Sequence, residues 1–216
     1  MQTKTIDRPH PVLRGIAEVI SYILHPIFVP LYVAAFLLYL HPSYFSGFSD
    51  RAKQQVLLII ILNAVFFPLI TTLLLKAVGF IDSVFLRTSK DRIIPYIVCG
   101  IFFFWTYTVF RQQELYPPIL SSFWLGVFLA SSAALIANIY FKISMHTLAM
   151  GGWLGLFIVI SQSNSMLMTW PLSIVIMLCG FVATSRMIVS NHTEKEIYSG
   201  FLIGLAAQAV SAFVIL

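Results

Sequence analysis

Three short polar segments interrupt an otherwise apolar chain of 216 residues, at positions 87–95, 142–146 and 185–204. They contain the side chains that could do chemistry: two histidines, one acid, one serine and five cations. These residues are His146, His192, Glu196, Ser144, Arg87, Lys90, Arg92, Lys142 and Arg186. Arginine and lysine bind phosphate oxygens, and an imidazole can attack phosphorus or donate a proton to a leaving group. The set therefore predicts an anion site with acid–base capacity.

The most informative pair is His192 and Glu196, which are four residues apart and so share one face of a helix. A carboxylate one turn away can hold an imidazole in one tautomer and stabilise its protonated form. A structural alternative is that Thr193 and Glu196 form a capping box that begins a helix, and the two roles can coexist. A single histidine near a helix end is also more often a hydrogen-bonded interfacial residue than a catalyst. Gly200 and Gly204, four residues apart, favour close helix packing.

Transmembrane helices are the elements that position these segments. Hydrophobic residues make up 59% of the chain and charged residues 10%, and the mean hydropathy is +0.92. This composition excludes a disordered chain and an ordinary soluble domain, in which about 25% of residues are charged. We expect one integral membrane domain over residues 1–216, an all-α polytopic bundle of six or seven spans. The predicted spans are 16–40, 55–79, 93–110, 118–140, 147–162, 169–188 and 197–216.

The order of the spans places the three polar segments at one face of the membrane. Two predicted spans separate the first segment from the second, and two more separate the second from the third. An even number of crossings returns the chain to the same side of the bilayer. We also expect Pro26 and Pro30 to kink the first span and Pro68 to kink the second.

The charge balance indicates contact with membrane lipids rather than with nucleic acid. The formal net charge is +5, from 13 Lys and Arg against 8 Asp and Glu. The cations occur singly or in pairs between apolar runs and form no basic tract. They are typical of topology determinants and of contacts with anionic headgroups. Cys99 and Cys179 lie in apolar runs without metal-type spacing, which indicates packing residues.

The third polar segment reads Ser185-Arg186-x5-His192-x3-Glu196 and continues with two spaced glycines. This pattern resembles the third motif of the type 2 phosphatidic acid phosphatase superfamily, which includes lipid phosphatases and vanadium haloperoxidases. The family has Asp where this chain has Glu196. The order and the spacing of the three polar segments also agree with the family.

The first two segments resemble the family motifs less closely. Residues 143–146, Ile-Ser-Met-His, are similar to the second motif, Pro-Ser-Gly-His. The first motif is Lys, six residues, Arg-Pro. Aligned on Pro95, it puts Arg87 at the position of the Lys and Ile94 at that of the Arg, for which two other cations of the segment can substitute. These departures indicate either a divergent subfamily with another phospholipid substrate or a member without activity.

The resemblance implies a reaction and a set of roles. His192 would form a phosphohistidine and be oriented by Glu196, and His146 would protonate the leaving lipid alkoxide. The phosphate would be held by Arg87, Lys90, Arg92, Ser144 and Arg186, with Lys142 as an additional candidate. The implied substrate is a lipid phosphate or diphosphate monoester, with no metal ion and no other cofactor. The implied location is the inner (cell) membrane of a bacterium.

Three other functions stay open at the level of sequence. The protein could bind or transport an anionic lipid without catalysis, or it could be a structural membrane subunit. In the third, His146, His192 and Glu196 would hold zinc, although zinc hydrolases more often have tighter ligand clusters. The side of the membrane is open as well. The resemblance favours the outer face, whereas ten of the 13 Lys and Arg fall on the predicted site side and favour the cytoplasm.

Overall fold

The computed structural model describes residues 10–86, 88–163, 165–190 and 192–216. Within these ranges the chain is all-helical. The α-helices are α1 (Pro11–Ile23), α2 (Val29–Ala35), α3 (Asp50–Ile61), α4 (Phe67–Ala77), α5 (Ser89–Gln112), α6 (Pro118–Tyr140), α7 (Met145–Gln162), α8 (Thr169–Val189) and α9 (Glu194–Ile215). Two π-helical turns occur, Phe36–Leu40 after α2 and Leu62–Phe66 between α3 and α4.

Six helices are long and apolar enough to cross a membrane, and they confirm six of the predicted spans. One is continuous from Asp50 to Ala77, and the others are α5 to α9. Several begin a few residues before the predicted boundary because hydropathy locates only their apolar part. The helices themselves begin at polar N-caps, such as Ser49, Thr88 and Thr193. These helices indicate an integral membrane protein.

The first predicted span, 16–40, is wrong as a single helix. The chain leaves α1 at Leu24, and α2 begins five residues later. Pro26 lies in this break, where its missing N–H and its effect on the preceding residue both oppose a helix. Pro30 lies in the first turn of α2, a position that tolerates proline. The result is a separate helix α1, which packs against α8.

The segment Val29–Leu40 still connects the two ends of the bundle. Before it, the ring of His25 packs on His146 at the start of α7. After it, His41 Nε2 lies 3.3 Å from Ser165 Oγ, just beyond the end of α7. Twelve helical residues extend about 18 Å, less than the roughly 30 Å of a bilayer core. Among the described residues, this short passage is additional to the six helices that are long enough to span.

A π-helical turn lies directly before Phe67 and Pro68, where the sequence predicts a kink. The N–H of Phe67 donates to the carbonyl of Leu62, five residues earlier instead of four. Because Pro68 has no N–H for the carbonyl four residues before it, the helix already lacks one hydrogen bond here. A wider turn is therefore less costly at this point than in an unbroken helix.

Helices α7 and α9 cross with their backbones in contact, as the glycine spacing predicts. A Cβ atom on Gly151 would overlap the carbonyl of Phe201, and one on Gly204 would overlap the carbonyl of Leu148. No other residue fits at these two positions without separating the helices. The glycine pattern therefore serves packing, and it brings the start of α7 against the start of α9.

The opposite half of α9 is held by polar side chains. Gln208 Nε2 donates to Ser122 Oγ at 3.4 Å, and the hydroxyls of Ser122 and Ser211 lie 3.3 Å apart. The Ser211 hydroxyl also donates to the Ser122 carbonyl. Gln208 packs over Gly126, where a side chain would collide with it. These contacts join α9 to α6 in the membrane interior, where no water can replace them.

Candidate functional site

Arg92 joins the first polar segment to the second. Thr88 caps α5, which places Arg92 in its first turn. The Arg92 side chain is only 8% exposed. Its Nε donates to the carbonyl of Leu86 at 2.9 Å, and its Nη1 donates to the carbonyl of Ile143 at 3.1 Å. One guanidinium thus holds the loop before α5 against the loop before α7.

Backbone contacts join the second segment to the third. The N–H of Ser144 donates to the carbonyl of Glu196 at 3.1 Å, and Thr147 Oγ1 donates to the carbonyl of Ile197 at 2.8 Å. Gly200 allows this approach, because a Cβ there would lie 2.6 Å from the carbonyl oxygen of Ser144. The prediction that the three segments meet at one end of the bundle is confirmed.

His192 and Glu196 form the pair that their spacing predicts. His192 Nδ1 lies 3.0 Å from Glu196 Oε2, and the two side chains are 10% and 19% exposed. The same oxygen accepts the N–H of Thr193 at 2.9 Å, and Thr193 Oγ1 accepts the N–H of Glu196 at 3.3 Å. The capping box and the imidazole contact therefore coexist. Since Nδ1–H donates to the carboxylate, Nε2 is the His192 atom with a free lone pair.

The environment favours the neutral form of His192. Burial lowers the pKa of the imidazole, and the nearby charges of Arg92 and Arg186 lower it further. The hydrogen bond and the negative charge of Glu196 act in the opposite direction. The balance leaves the pKa below its ordinary value, so the nucleophilic, unprotonated form predominates near neutral pH.

His146 lies beside this pair at the first turn of α7. Its Nε2 is 3.1 Å from the carbonyl of Ser21 in α1. A carbonyl can only accept, so Nε2 carries the proton in this contact. Nδ1 is then the His146 atom that is available to exchange a proton. The charges of Arg186 and His192 both act on the His146 ring, which places all three side chains in one cluster.

Arg186 supplies an unpaired positive charge to the cluster. Its Nε is buried and has no hydrogen-bond partner among the residues described. Its charge acts on His146 and His192, and Arg92 is close enough to repel it. In the described part of the chain, neither guanidinium forms an ion pair with a carboxylate. Two converging cations without an acidic partner favour an anion.

The remaining predicted ligands have different surroundings. Ser144 is completely buried and caps α7, its hydroxyl accepting the N–H of Thr147. Lys142 is half-buried and its charge acts on Glu196. Lys90 is exposed, and no hydrogen bond or ion pair described here joins it to the imidazoles. Arg87 lies outside the described residues.

His25 is the site residue that the sequence analysis missed. Its ring centroid lies 5.1 Å from that of His146, with the rings nearly perpendicular. The charge of Arg186 acts on it as well. The available signal was the pair His25-Pro26 inside an apolar run, where an imidazole is costly unless it has a partner.

Comparison of the chain with protein-family models, with curated proteins and with solved structures gives no match. The arrangement of residues is therefore the basis for any functional assignment. In the ranges that the structure describes, no three His, Cys, Asp or Glu side chains are grouped as a metal site requires. The arrangement offers two guanidiniums, one imidazole with a fixed tautomer and a second imidazole.

Proposed function

We propose that the protein is an integral membrane phosphatase that acts on a lipid phosphate or diphosphate monoester. We further propose that it is a divergent member of the type 2 phosphatidic acid phosphatase superfamily, in the inner (cell) membrane of a bacterium. The observation that carries the proposal is the convergence of His192, His146, Arg92 and Arg186 at one end of the bundle, with the Nε of Arg186 buried and unpartnered.

In the first half-reaction, His192 Nε2 attacks phosphorus and the bond from phosphorus to the lipid oxygen breaks. The anionic substrate favours a second proton on His146, at Nδ1, and His146 donates this proton to the departing oxygen, so the alcohol leaves neutral. Glu196 stabilises the positive charge that develops on the His192 ring through the Nδ1 contact. The positive charges of Arg186 and Arg92 stabilise the charge on the phosphoryl oxygens.

In the second half-reaction, water replaces the histidine. The now neutral His146 removes a proton from the water as the water oxygen attacks phosphorus. The bond from phosphorus to His192 Nε2 breaks, inorganic phosphate is released, and both imidazoles return to their starting protonation states. The product alcohol and phosphate together account for the atoms of the substrate and one water.

A groove between α5 and α6 supports a lipid rather than a soluble substrate. It has a volume of about 420 Å³ and an almost wholly apolar lining, which includes Gly100, Phe104 and Phe128. Tyr96 lines the end of the groove that is nearest to the candidate site, one helical turn from Arg92. From position 96 to position 105 the groove extends about 13 Å along the axis of α5. A phosphate held at Arg92 would therefore leave its apolar chain beside this groove.

The second candidate is a protein that binds or transports an anionic lipid without catalysis. Two observations favour it: the hydrogen bond to Ser21 occupies His146 Nε2, and the buried Ser144 hydroxyl accepts a hydrogen bond as a helix cap. Both candidate functions require the two cations, Arg92 and Arg186. Only the phosphatase requires a nucleophile.

Phosphate release from lipid substrates separates the two candidates. Purified protein in detergent would be given phosphatidic acid, phosphatidylglycerol phosphate and a polyprenyl diphosphate without added metal. We expect release from at least one of them, and we expect His192→Ala to abolish it while retaining vanadate-induced thermal stabilisation. Release that is absent for all three, or equal in the variant, rejects the phosphatase. Thermal stabilisation without release supports the binding protein.

A further inference from the structure

His25 is oriented by a local turn. Its Nδ1 accepts the N–H of Ile27 at 3.3 Å, as a side chain that mimics a backbone turn does. In the neutral ring this leaves the proton on Nε2, which can only donate. Among the residues described, Nε2 of His25 has no hydrogen-bond partner, and the side chain is exposed at the site end of the bundle.

The electrostatic surroundings of His25 favour this neutral donor. Partial desolvation of the ring lowers its pKa, and the charge of Arg186 lowers it further. On the other side, the perpendicular ring of His146 limits its orientation, with 5.1 Å between centroids. His146 is itself held by the carbonyl of Ser21, four residues before His25. The last turn of α1 therefore braces His146, and the connection after it supplies a free N–H close enough to Arg186 to feel its charge.

Two other histidines show that the turn alone does not make a site. His10 and His41 also precede proline, and each accepts the N–H two residues later, at 3.4 Å and 3.3 Å. His10 caps α1, and His41 contacts Ser165 at the opposite end of the bundle. His25 differs from them in its position beside Arg186 and His146.

We propose that His25 is a third imidazole of the anion site and that its Nε2–H donates a hydrogen bond to the bound phosphoryl group. The inference rests on the proposed function for its substrate, but its residue belongs to none of the three polar segments. It adds a neutral donor to the cations that neutralise the phosphate. It also explains why an imidazole stays in the break between two apolar helices.

The test compares two substitutions at one position. His25→Phe keeps a ring against His146 and removes the donor, whereas His25→Gln keeps a side-chain N–H near the position of Nε2. His41→Phe is the matched control, because the same turn lies at the opposite end of the bundle. For each purified variant, the melting temperature, the affinity for vanadate as a phosphate mimic, and kcat/KM for the best lipid substrate would be measured.

We expect His25→Phe to lower vanadate affinity and kcat/KM by about 10- to 100-fold, the range for a hydrogen bond to a charged group. His25→Gln should recover most of the loss, and His41→Phe should match the wild type. In the wild-type protein, vanadate should shift the Nε2 NMR signal of His25, a measurement that needs no variant to fold.

Several outcomes overturn the inference. Unchanged vanadate affinity in His25→Phe does so, as does His25→Gln that is no better than His25→Phe, or an Nε2 signal that vanadate leaves unmoved. Failure of the proposed function is distinguishable from these. Wild-type protein that binds vanadate but releases no phosphate refutes the phosphatase, while the binding data still decide the role of His25. Wild-type protein that binds no vanadate refutes both.

Discussion

Glu196→Gln separates the two roles that one carboxylate oxygen performs. Glu196 Oε2 accepts both the N–H of Thr193, which caps α9, and Nδ1–H of His192. A glutamine oxygen can still accept these hydrogens but carries no charge. We therefore expect the fold to persist and the chemistry to weaken.

The size of the effect follows from the geometry. The His192 contact is 3.0 Å long, and its side chains are 10% and 19% exposed, so solvent screens it little. A hydrogen bond to a charged group contributes about 1.5–3 kcal/mol. The imidazole becomes cationic only as it bonds to phosphorus, so most of this contribution belongs to the transition state. We expect kcat to fall by about 10- to 150-fold.

The pH dependence of kcat/KM gives an independent test of the role of Glu196. Attack needs unprotonated His192, so kcat/KM rises with pH through the pKa of this residue. Because Glu196 raises that pKa, its replacement by glutamine lowers it and moves the acidic limb to lower pH. Initial rates of phosphate release between pH 4 and 9, for wild type and variant, would measure both effects.

Thr193→Ala is the matched control for the cap. It removes the hydroxyl that accepts the N–H of Glu196 and should cost about 1 kcal/mol of stability, with little change in kcat. A Glu196→Gln protein with more than half the wild-type kcat and an unmoved acidic limb would refute the assignment of Glu196 to the nucleophile. So would a Thr193→Ala protein that lost activity as strongly as Glu196→Gln while staying folded.

Three further predictions concern the cation, the helix crossing and the groove. Arg186→Gln removes a charge that lowers the pKa of the nucleophile, so the acidic limb of kcat/KM should move to higher pH and vanadate affinity should fall; an unmoved limb contradicts this. Gly204→Ala should lower the free energy of unfolding in detergent by about 1–3 kcal/mol because its Cβ meets the facing backbone. Gly152→Ala, with 3.9 Å of clearance, should be near neutral. Equal stabilities of the two variants contradict the crossing of α7 and α9. Gly100→Leu should raise KM for long-chain but not short-chain substrates, with Gly180→Leu on α8 as the control; equal KM values exclude the groove as the chain site.

The sequence predicted the features that depend on long-range regularity. Six spans follow from apolar runs of sufficient length, and the meeting of the polar segments follows from counting crossings. The contact of His192 with Glu196 follows from their separation by one helical turn. In each case the regular geometry of membrane-spanning helices relates positions in the sequence to positions in the structure.

The rest depends on interactions that spacing does not encode. The break at Pro26 divides an apolar run of normal span length, and the apolar pattern does not reveal that its first half forms a separate helix packed on α8. His25 reaches His146 across 121 positions of sequence, through that break. Ser144 matches a motif position, and its spacing does not reveal that its hydroxyl also accepts the N–H of Thr147 at the start of α7.

The two different attachments of α9 have a mechanical consequence. Halfway along the helix, Gly204 lies against the α7 backbone, which limits tilting. One to two turns further on, Gln208 and Ser211 contact Ser122 of α6, which limits sliding. Contacts with two different helices together fix the rotation and the tilt of α9. The orientation of Glu196, and through it that of the His192 ring, therefore depends on contacts made further along α9, inside the bilayer.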